Sequence, residues 1–408
     1  MRLKDVAELN VRSLDDSTSD DYVFKYIDIS SVSFENGITL GEDLAFRNAP
    51  SRARRIVQKG DVLVSTVRTY LRAIADIDWD AENIIASTGF AVFTPNKNSN
   101  PRFLAYAVKS SEVINQICSI SKGVSYPAIQ ATVLSSVRIP FYALSEQYVI
   151  ATYLDKECDR ITKEIDLLER KVDCYSRLRR SIINRIVTRG LNQMVPLKLS
   201  GLPWIEFIPE HWNIKRGKSI LKEIHRNVRP EDGIVTCFRD GEVTLRINRR
   251  TTGFTESEKE IGYHGVRVGD LVVHQMDAFA GAIGISDSDG KCSPICIVCR
   301  PLNEDETDIR YYCQLLRVMA HSGFIQSLAK GIRERTTDFR YKTLEILHLP
   351  VPPYVEQRQI VTYLDEKCSK IDTIIEKINL KIERLKELKR SLINEVVTGQ
   401  RTIKTSDL

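Results

Sequence analysis

The sequence has few cysteines, no long apolar run and no large excess of one charge. Nine cysteines among 408 residues are sparse and odd in number, which favours reduced cytoplasmic thiols over a disulfide framework. No stretch approaches the roughly 18 apolar residues of a membrane span, and charges at Arg2, Lys4 and Asp5 replace the apolar core of a signal peptide. Lys plus Arg 59 against Asp plus Glu 54 excludes a histone-like polycation. We therefore expect a globular cytoplasmic protein whose basic residues act locally.

Catalytic motifs are also missing. The run Gly217-Lys218-Ser219 imitates the end of a phosphate-binding loop, but Trp212 stands where that loop needs its first glycine. There is no Gly-rich S-adenosylmethionine loop paired with an Asn/Asp-Pro-Pro-aromatic motif, and no nuclease pair of acids followed by Glu-x-Lys. The histidines have no metal-ligand spacing. We predict no catalytic residue, metal or cofactor in this chain.

One cysteine cluster has two interpretations. Cys292, Cys296 and Cys299 have the spacing of a radical-SAM iron–sulfur site. The favoured interpretation is a buried strand, because strand alternation would place Cys296 and Cys299 on opposite faces.

The chain repeats itself at an offset of 210 residues. Glu146-Gln147 aligns with Glu356-Gln357, and the Thr-Tyr-Leu-Asp run ending at Asp155 aligns with the run ending at Asp365. Upstream, Gly60-Asp61 and Gly269-Asp270 each precede a short apolar run that predicts a buried strand. Since internal repeats reveal architecture, we expect two related lobes, each followed by one long helix.

Apolar residues at steps of three and four predict these helices. The first stripe runs from Ile150 through Leu178 to Ile186, and the second runs from Ile360 through Leu388 to Val396. Short strands between Gly, Pro, Asn and Asp predict α+β lobes. The predicted fold is two α+β domains separated by a coiled coil of two long antiparallel helices with pseudo-two-fold symmetry. The predicted boundaries are 1–138, 139–192 (helical connector), 193–348 (linker and second lobe), 349–400 (second connector) and 401–408 (tail).

The connector motifs resemble those of specificity (S) subunits of type I restriction–modification systems. The matching residues run from Leu349 to Asp365 and from Leu385 to Gly399, and Pro203–Trp212 resembles the lead-in to a target-recognition domain of that family. The first lobe lacks a counterpart of this lead-in. The resemblance covers essentially the whole chain, although the lobes themselves are not family-specific.

The resemblance implies a non-catalytic DNA reader. Each lobe would read one half of a bipartite, asymmetric site, and the coiled coil would set the gap. The chain would recruit two modification (methyltransferase) subunits and restriction subunits of a DNA adenine methyltransferase and ATP-dependent endonuclease complex that defends against foreign DNA. S-adenosylmethionine, ATP and Mg would belong to those partners. The alternative is a two-lobed coiled-coil adaptor that binds proteins without DNA specificity.

Candidate contacts follow from side-chain chemistry, since Arg suits guanine, Gln suits adenine, and Ser, Thr and Arg suit phosphates. The DNA-binding candidates are Arg52, Arg54, Arg55, Ser65, Thr66, Arg68, Arg72, Ser125, Tyr126, Arg246, Arg249, Arg250, Gln275, Arg333, Arg335 and Arg340. The resemblance marks partner-binding or spacer residues at Glu146, Gln147, Tyr153, Leu154, Asp155, Glu356, Gln357, Tyr363, Leu364 and Asp365.

Overall fold

A computed structural model describes residues 1–34, 37–80, 82–123, 126–249, 261–328 and 338–404. Two compact units divide the chain. Unit 1 comprises Met1–Lys171 with Lys377–Leu408, and unit 2 comprises Val172–Glu376. This division cuts both long helices, whereas the boundaries predicted from sequence separate lobes from connectors, so those boundaries stay a prediction.

The first half of the chain folds into short strands, short helices and one long helix. In chain order these are α1 (Leu3–Val6), β1 (Ala7–Leu9), β2 (Val23–Ile27), β3 (Val32–Ser33), β4 (Gly37–Ile38), β5 (Asp43–Ala45), β6 (Ala53–Ile56), β7 (Val62–Ser65), β8 (Ile74–Asp76), β9 (Ile84–Ser87), β10 (Phe90–Pro95), α2 (Pro101–Lys109), α3 (Ser111–Ile120), α4 (Ala131–Leu134) and α5 (Leu144–Arg189).

The second half repeats this pattern. It contains β11 (Leu197–Leu202), β12 (Ile205–Pro209), β13 (Asn213–Arg216), β14 (Leu221–Glu223), β15 (Val235–Cys237), β16 (Val243–Leu245), β17 (His264–Val266), β18 (Leu271–His274), β19 (Ile283–Ile285), β20 (Gly290–Cys292), β21 (Cys296–Pro301), α6 (Ile309–His321), α7 (Phe324–Ser327), α8 (Tyr341–Ile346), β22 (His348–Val351) and α9 (Tyr354–Val397). The α+β class predicted from sequence is confirmed.

Each unit is built on the same four-stranded antiparallel sheet. The strand order is β1-β10-β7-β8 in unit 1 and β14-β21-β18-β19 in unit 2. The registers also correspond, with Leu63 opposite Val92 in one sheet and Val272 opposite Val298 in the other. The internal repeat therefore extends from the connector motifs into the domain framework.

The central strands are buried on both faces. In β7, Val62 and Val64 pack into one core with α2 and α3, while Leu63 packs into a second core on the opposite face. In unit 2, Leu271 and Val273 likewise belong to one core and Val272 to the other. A strand with apolar side chains on both faces reads as a continuous apolar run, which explains the runs that predicted these strands.

The long helices α5 and α9 contain 46 and 44 residues, and they run antiparallel within each unit. In unit 1, Lys381 pairs with Glu164 at 2.7 Å, and Lys389 donates to the Thr162 hydroxyl at 2.8 Å. In unit 2, Arg179 pairs with Asp372 at 2.9 Å. Because higher numbers on one helix meet lower numbers on the other, the predicted antiparallel pairing is confirmed.

The apolar stripes predicted from sequence are wrong at two positions, which are exposed and not buried. Leu178 and Leu388 occupy equivalent positions of the repeat, yet they are 47% and 51% exposed. A stripe drawn by steps of three and four drifts around a straight helix over several turns, since 3.6 residues per turn does not match a seven-residue repeat. No helix in the described part of the chain is long and apolar enough to cross a membrane.

Candidate nucleic-acid interface

A buried aspartate opens the strand that leads to the candidate surface in each unit. Asp61, 1% exposed, accepts hydrogen bonds from Arg12 at 2.6 Å and from the Thr94 hydroxyl at 2.7 Å. Asp270, fully buried, is held by Arg226 and by Arg300, the latter at 2.6 Å. The repeated Gly-Asp dipeptide is thus a buried ionic anchor, and buried charges persist only when paired in this way.

The repeated Glu-Gln motif fastens each long helix to its own domain. The fully buried Gln147 accepts from the Asn100 amide at 2.8 Å and donates to the Tyr142 carbonyl at 2.8 Å. Gln357, also fully buried, accepts from the Asp308 amide at 2.9 Å and donates to the Pro352 carbonyl at 2.9 Å. Their amides bind the chain's own backbone, which makes the junction between domain and helix rigid.

The aspartates of the Thr-Tyr-Leu-Asp runs reinforce this junction. Asp155 accepts from Arg102 at 3.0 Å and from the Tyr106 hydroxyl at 2.7 Å, whereas Asp365 lies 3.6 Å from Arg310. Although burial opposes the charged form, the hydrogen bond to Asp155 and the charge of Asp76 raise the pKa of Arg102. The aspartate of the run is therefore bound more closely in unit 1 than in unit 2.

The other spacer candidates divide into buried and exposed side chains. Leu154 is fully buried, Leu364 is 2% exposed, and Tyr153 is 7% exposed, so all three belong to the unit cores. Tyr363 is half-buried, and Glu146 is exposed. Their predicted binding of partner subunits stays a prediction.

The Trp212 lead-in of unit 2 has a substitute in unit 1. Trp212 donates to Glu356 at 3.0 Å and packs edge-on against Tyr311, whose hydroxyl donates to the Val187 carbonyl at 2.9 Å. In unit 1, Tyr142 packs edge-on against Phe103 and itself donates to the Val397 carbonyl at 2.9 Å. The missing lead-in of the first lobe is thus compensated by one tyrosine of the connector.

One end of the unit 1 sheets brings several candidates together. The Thr88 amide donates to the Arg52 carbonyl at 2.8 Å, and the Thr66 amide donates to the Gly89 carbonyl at 2.8 Å. The Arg68 guanidinium stacks over the Tyr126 ring at 4.7 Å. Arg52, Arg68 and Tyr126 are exposed, and Arg72 is half-buried. We call the surface formed by Arg52, Thr66–Arg72 and Tyr126 the unit 1 ledge.

The remaining unit 1 candidates are less available. The Ser65 hydroxyl donates to the Val67 carbonyl at 2.6 Å, and the Thr66 hydroxyl donates to the Gly89 carbonyl at 2.8 Å, so both shape the ledge rather than project from it. Arg54 stacks on Phe46 at 4.9 Å. Arg55 is half-buried in β6, and Ser125 lies outside the described residues.

The candidates of unit 2 are more engaged with their neighbours. Arg249 forms ion pairs with Asp240 and Glu242, both at 2.8 Å, and Arg340 pairs with Asp338 at 2.7 Å, which raises the pKa of Arg340. Gln275 donates to the Pro294 carbonyl at 3.3 Å. Arg246 is half-buried in a 3-10 turn. Arg250, Arg333 and Arg335 lie outside the described residues.

Sequence reasoning missed two side chains of the ledge. Tyr70 is 54% exposed and Leu71 is 50% exposed, between the candidate arginines 68 and 72. Aromatic and aliphatic residues next to a strand usually belong to the core, so the sequence offered no reason to include these two among the DNA-binding candidates. A usable signal was their position between two arginines, since exposed aromatics interleaved with basic residues suit nucleic-acid binding.

The cysteines follow the strand interpretation. Cys296 packs into one core of unit 2, and Cys299 packs into the core on the other face of the sheet. All nine cysteines are free thiols, and burial raises the pKa of Cys313 to about 11. Among the described residues, no three His, Cys, Asp or Glu side chains are arranged to hold a metal ion.

Comparison with known proteins gives a consistent result. Residues 1–170 match the family model of the type I restriction modification DNA specificity domain. The specificity subunit of the type I restriction enzyme EcoKI from Escherichia coli (strain K12) is 24% identical over 76% of this chain and 68% of its own length. The putative MjaX specificity subunit of Methanocaldococcus jannaschii is 22% identical over 93% of this chain and 85% of its own length. Residues 1–170 thus match the specificity-domain model, and the chain as a whole is similar to type I specificity subunits.

Solved structures of type I restriction–modification proteins share the fold of this chain. A chain from a study of complex assembly and conformational transition in a type I R-M system superposes with a TM-score of 0.71 at 20% identity, covering 98% of this chain and 97% of that one. The HsdS subunit from Thermoanaerobacter tengcongensis gives a TM-score of 0.51 at 21% identity, covering 98% and 96%. The type I specificity fold therefore extends over nearly the whole chain.

Proposed function

We propose that this chain is the non-catalytic DNA sequence-specificity subunit of a type I restriction–modification complex. The observation that carries the proposal is a repeated framework with different side chains at its loops. Both units have the same sheet order, a buried aspartate before the central strand and a buried glutamine at the start of the long helix. The loop after that strand differs, with Thr66–Arg72 in unit 1 and Gln275–Gly281 in unit 2. A conserved frame with divergent loops suits a protein that reads two different sequences.

In this proposal the domains, the long helices, the connectors and the partner subunits have separate roles. Each domain reads one half of a bipartite, asymmetric site, and the long helices act as the spacer between the halves. The connectors recruit two modification subunits and the restriction subunits. Adenine methylation and ATP-dependent cleavage, with S-adenosylmethionine, ATP and Mg, belong to those partners. The complex works in the cytoplasm. No comparison supports the alternative of a protein-binding adaptor.

Charge supports a need for partners. Lys plus Arg equals Asp plus Glu within residues 1–138 and within 200–348, so the overall +5 lies in the connectors. Because phosphate neutralisation supplies most non-specific affinity, we expect weak DNA binding by the isolated chain and tight binding after the modification subunits assemble on it.

The test is sequence selection by the assembled complex. The full chain is combined with the modification subunits encoded beside it, and a pool of randomised DNA duplexes is selected and sequenced. We expect one two-part sequence with unrelated halves and a fixed gap. Absence of any preferred sequence would overturn the proposal.

A domain replacement gives the matched control. Residues 1–138 are exchanged for the first domain of another family member, and the selection is repeated. One half of the selected sequence should change while the other half and the gap stay the same. A change in both halves together would contradict the assignment of one domain to each half-site.

A further inference from the structure

Two arginines of the unit 1 ledge have a left-handed backbone. Arg68 has φ 49° and ψ 49°, and Arg72 has φ 54° and ψ 38°; they flank a 3-10 turn formed by Thr69–Leu71 between β7 and β8. In this region the Cβ of an L-residue crowds the backbone, so glycine is the usual occupant and asparagine the common exception. Apart from these arginines, the non-glycine residues with positive φ among the described residues are Asn10 and Asn83.

Unit 2 supplies an internal reference for this loop. Between β18 and β19 the chain makes the corresponding 3-10 turn, Ala278–Ala280, which ends at Gly281 with φ 94°. Gly281 thus occupies the position that Arg72 occupies in unit 1. The turn requires a left-handed residue at its end, and glycine satisfies that requirement without a side chain. An arginine there indicates that the side chain itself is used.

Hydrogen bonds hold the strained loop in place. The Arg68 amide donates to the Pro127 carbonyl at 2.7 Å, and the Leu71 amide donates to the Arg68 carbonyl at 2.8 Å. The hydroxyls of Thr69 and Ser121 lie 2.9 Å apart. Strained residues persist where surrounding contacts over-determine them, and they concentrate at functional sites.

The two arginines of the loop differ from the other candidate arginines in their charge environment. Within the described part of the chain, neither Arg68 nor Arg72 forms an ion pair, and Arg68 is pre-oriented by its stack on Tyr126. The acid at the matching place in unit 2, Asp277, instead pairs with Arg239 at 2.8 Å. An unpaired, rigidly held guanidinium suits bidentate binding to the O6 and N7 atoms of guanine, the commonest specific contact of arginine with DNA.

We propose that Arg68 and Arg72 are specificity-determining residues that read guanine in the half-site bound by unit 1, and that the loop keeps them in strained backbone for that purpose. This inference rests on the proposed function and assigns one half of the recognised site to one loop. Tyr70 and Leu71, exposed between them, lie beside the same bases.

The test compares stability with sequence preference. Arg68→Gly and Arg72→Gly each place glycine at a left-handed position, and Gly281 of unit 2 is the natural precedent for the second. The melting temperature of the isolated chain should therefore stay within about 2 °C of wild type or rise. In the complex with modification subunits, selection from randomised duplexes should lose guanine preference in one half-site, with at least about tenfold weaker binding to the wild-type sequence. Arg47→Ala, which removes one positive charge paired with Asp21 on the same unit, should leave the selected sequence unchanged.

Other outcomes overturn the inference. A fall in melting temperature of more than a few degrees would show that the arginines stabilise the fold. Uniformly weaker binding with the selected sequence intact would mean that they contact phosphates and read no base. If the wild-type complex selects a two-part sequence that neither glycine variant alters, the inference fails while the proposed function stands. If the wild type selects nothing, both fail together.

Discussion

The two units share one framework but differ in how their buried aspartates and their loop arginines are paired. The buried Asp61 of unit 1 is neutralised by one arginine, whereas Asp270 of unit 2 is neutralised by two, Arg226 and Arg300. At the loops the relation reverses, since Arg68 and Arg72 of unit 1 have no ion-pair partner in the described ranges of the chain, whereas Arg249 and Arg340 of unit 2 have acidic partners. A repeated fold can therefore retain the ion pairs of its buried aspartates while the pairing of its exposed arginines differs between the two copies.

The largest expected difference concerns the buried aspartates. Asp270→Ala leaves two arginines without their buried partner, and Asp61→Ala leaves one, so each should cost about 3–5 kcal/mol of unfolding free energy with Asp270→Ala the greater. Urea unfolding followed by segment-resolved hydrogen exchange measures the two units separately. Asp80→Ala, which removes an exposed partner of Lys59 at 3.1 Å, should cost less than about 1 kcal/mol. Equal costs for all three variants would contradict the anchor role.

The second difference concerns the tyrosines that close each domain. Tyr311 is fully buried and Tyr142 is half-buried, and each donates at 2.9 Å to the equivalent helix carbonyl. Tyr311→Phe leaves the Val187 carbonyl without that donor at a buried position and should cost about 1–3 kcal/mol, against about 0.5–1.5 kcal/mol for Tyr142→Phe. Denaturant midpoints of the single variants check the order, and a larger loss for Tyr142→Phe would refute it.

The smallest difference is a response to acid. All six histidines lie in unit 2, and burial lowers the pKa of His264, His274 and His321 below 6.5. Since the unfolded chain then binds protons more readily than the folded one, this stability is full above pH 6.5 and is lost as pH falls below it. Hydrogen exchange at pH 7 and pH 5.5, corrected for intrinsic rates, should show unit 2 loosening while unit 1 changes little. Equal loosening of both units would exclude the histidines as the cause.

Much of the framework could be predicted because its signals are local or repeated. The strands β7 and β18 are apolar runs bounded by Gly-Asp, and the connector helices carry long apolar periodicity with matching motifs. The stripe failed at Leu178 and Leu388 because periodicity alone does not fix which helix face meets a neighbour at each turn.

The candidate surface was less predictable for a physical reason. Whether an arginine is free depends on neighbours that are distant in sequence or on rotamers of exposed side chains. Arg267, for example, pairs with Asp232 at 3.0 Å across 35 residues, while Arg249 reaches Glu242 on its own hairpin. The left-handed backbone of Arg68 and Arg72 has no compositional signature, since arginine is an unusual occupant of that region.

The sequence by itself determined the duplication, the α+β class, the paired long helices and the resemblance to the family, because each is written in periodicity or repeated motifs. Only the tertiary structure decided that Gln147 and Gln357 face inward and that Tyr142 supplies in unit 1 the carbonyl hydrogen bond that Tyr311 supplies in unit 2. It also decided that Arg68 and Arg72 have a left-handed backbone and no ion-pair partner among the residues that the structure describes. Those properties arise from contacts between residues far apart in the chain, and packing chooses such contacts only after the local elements have formed.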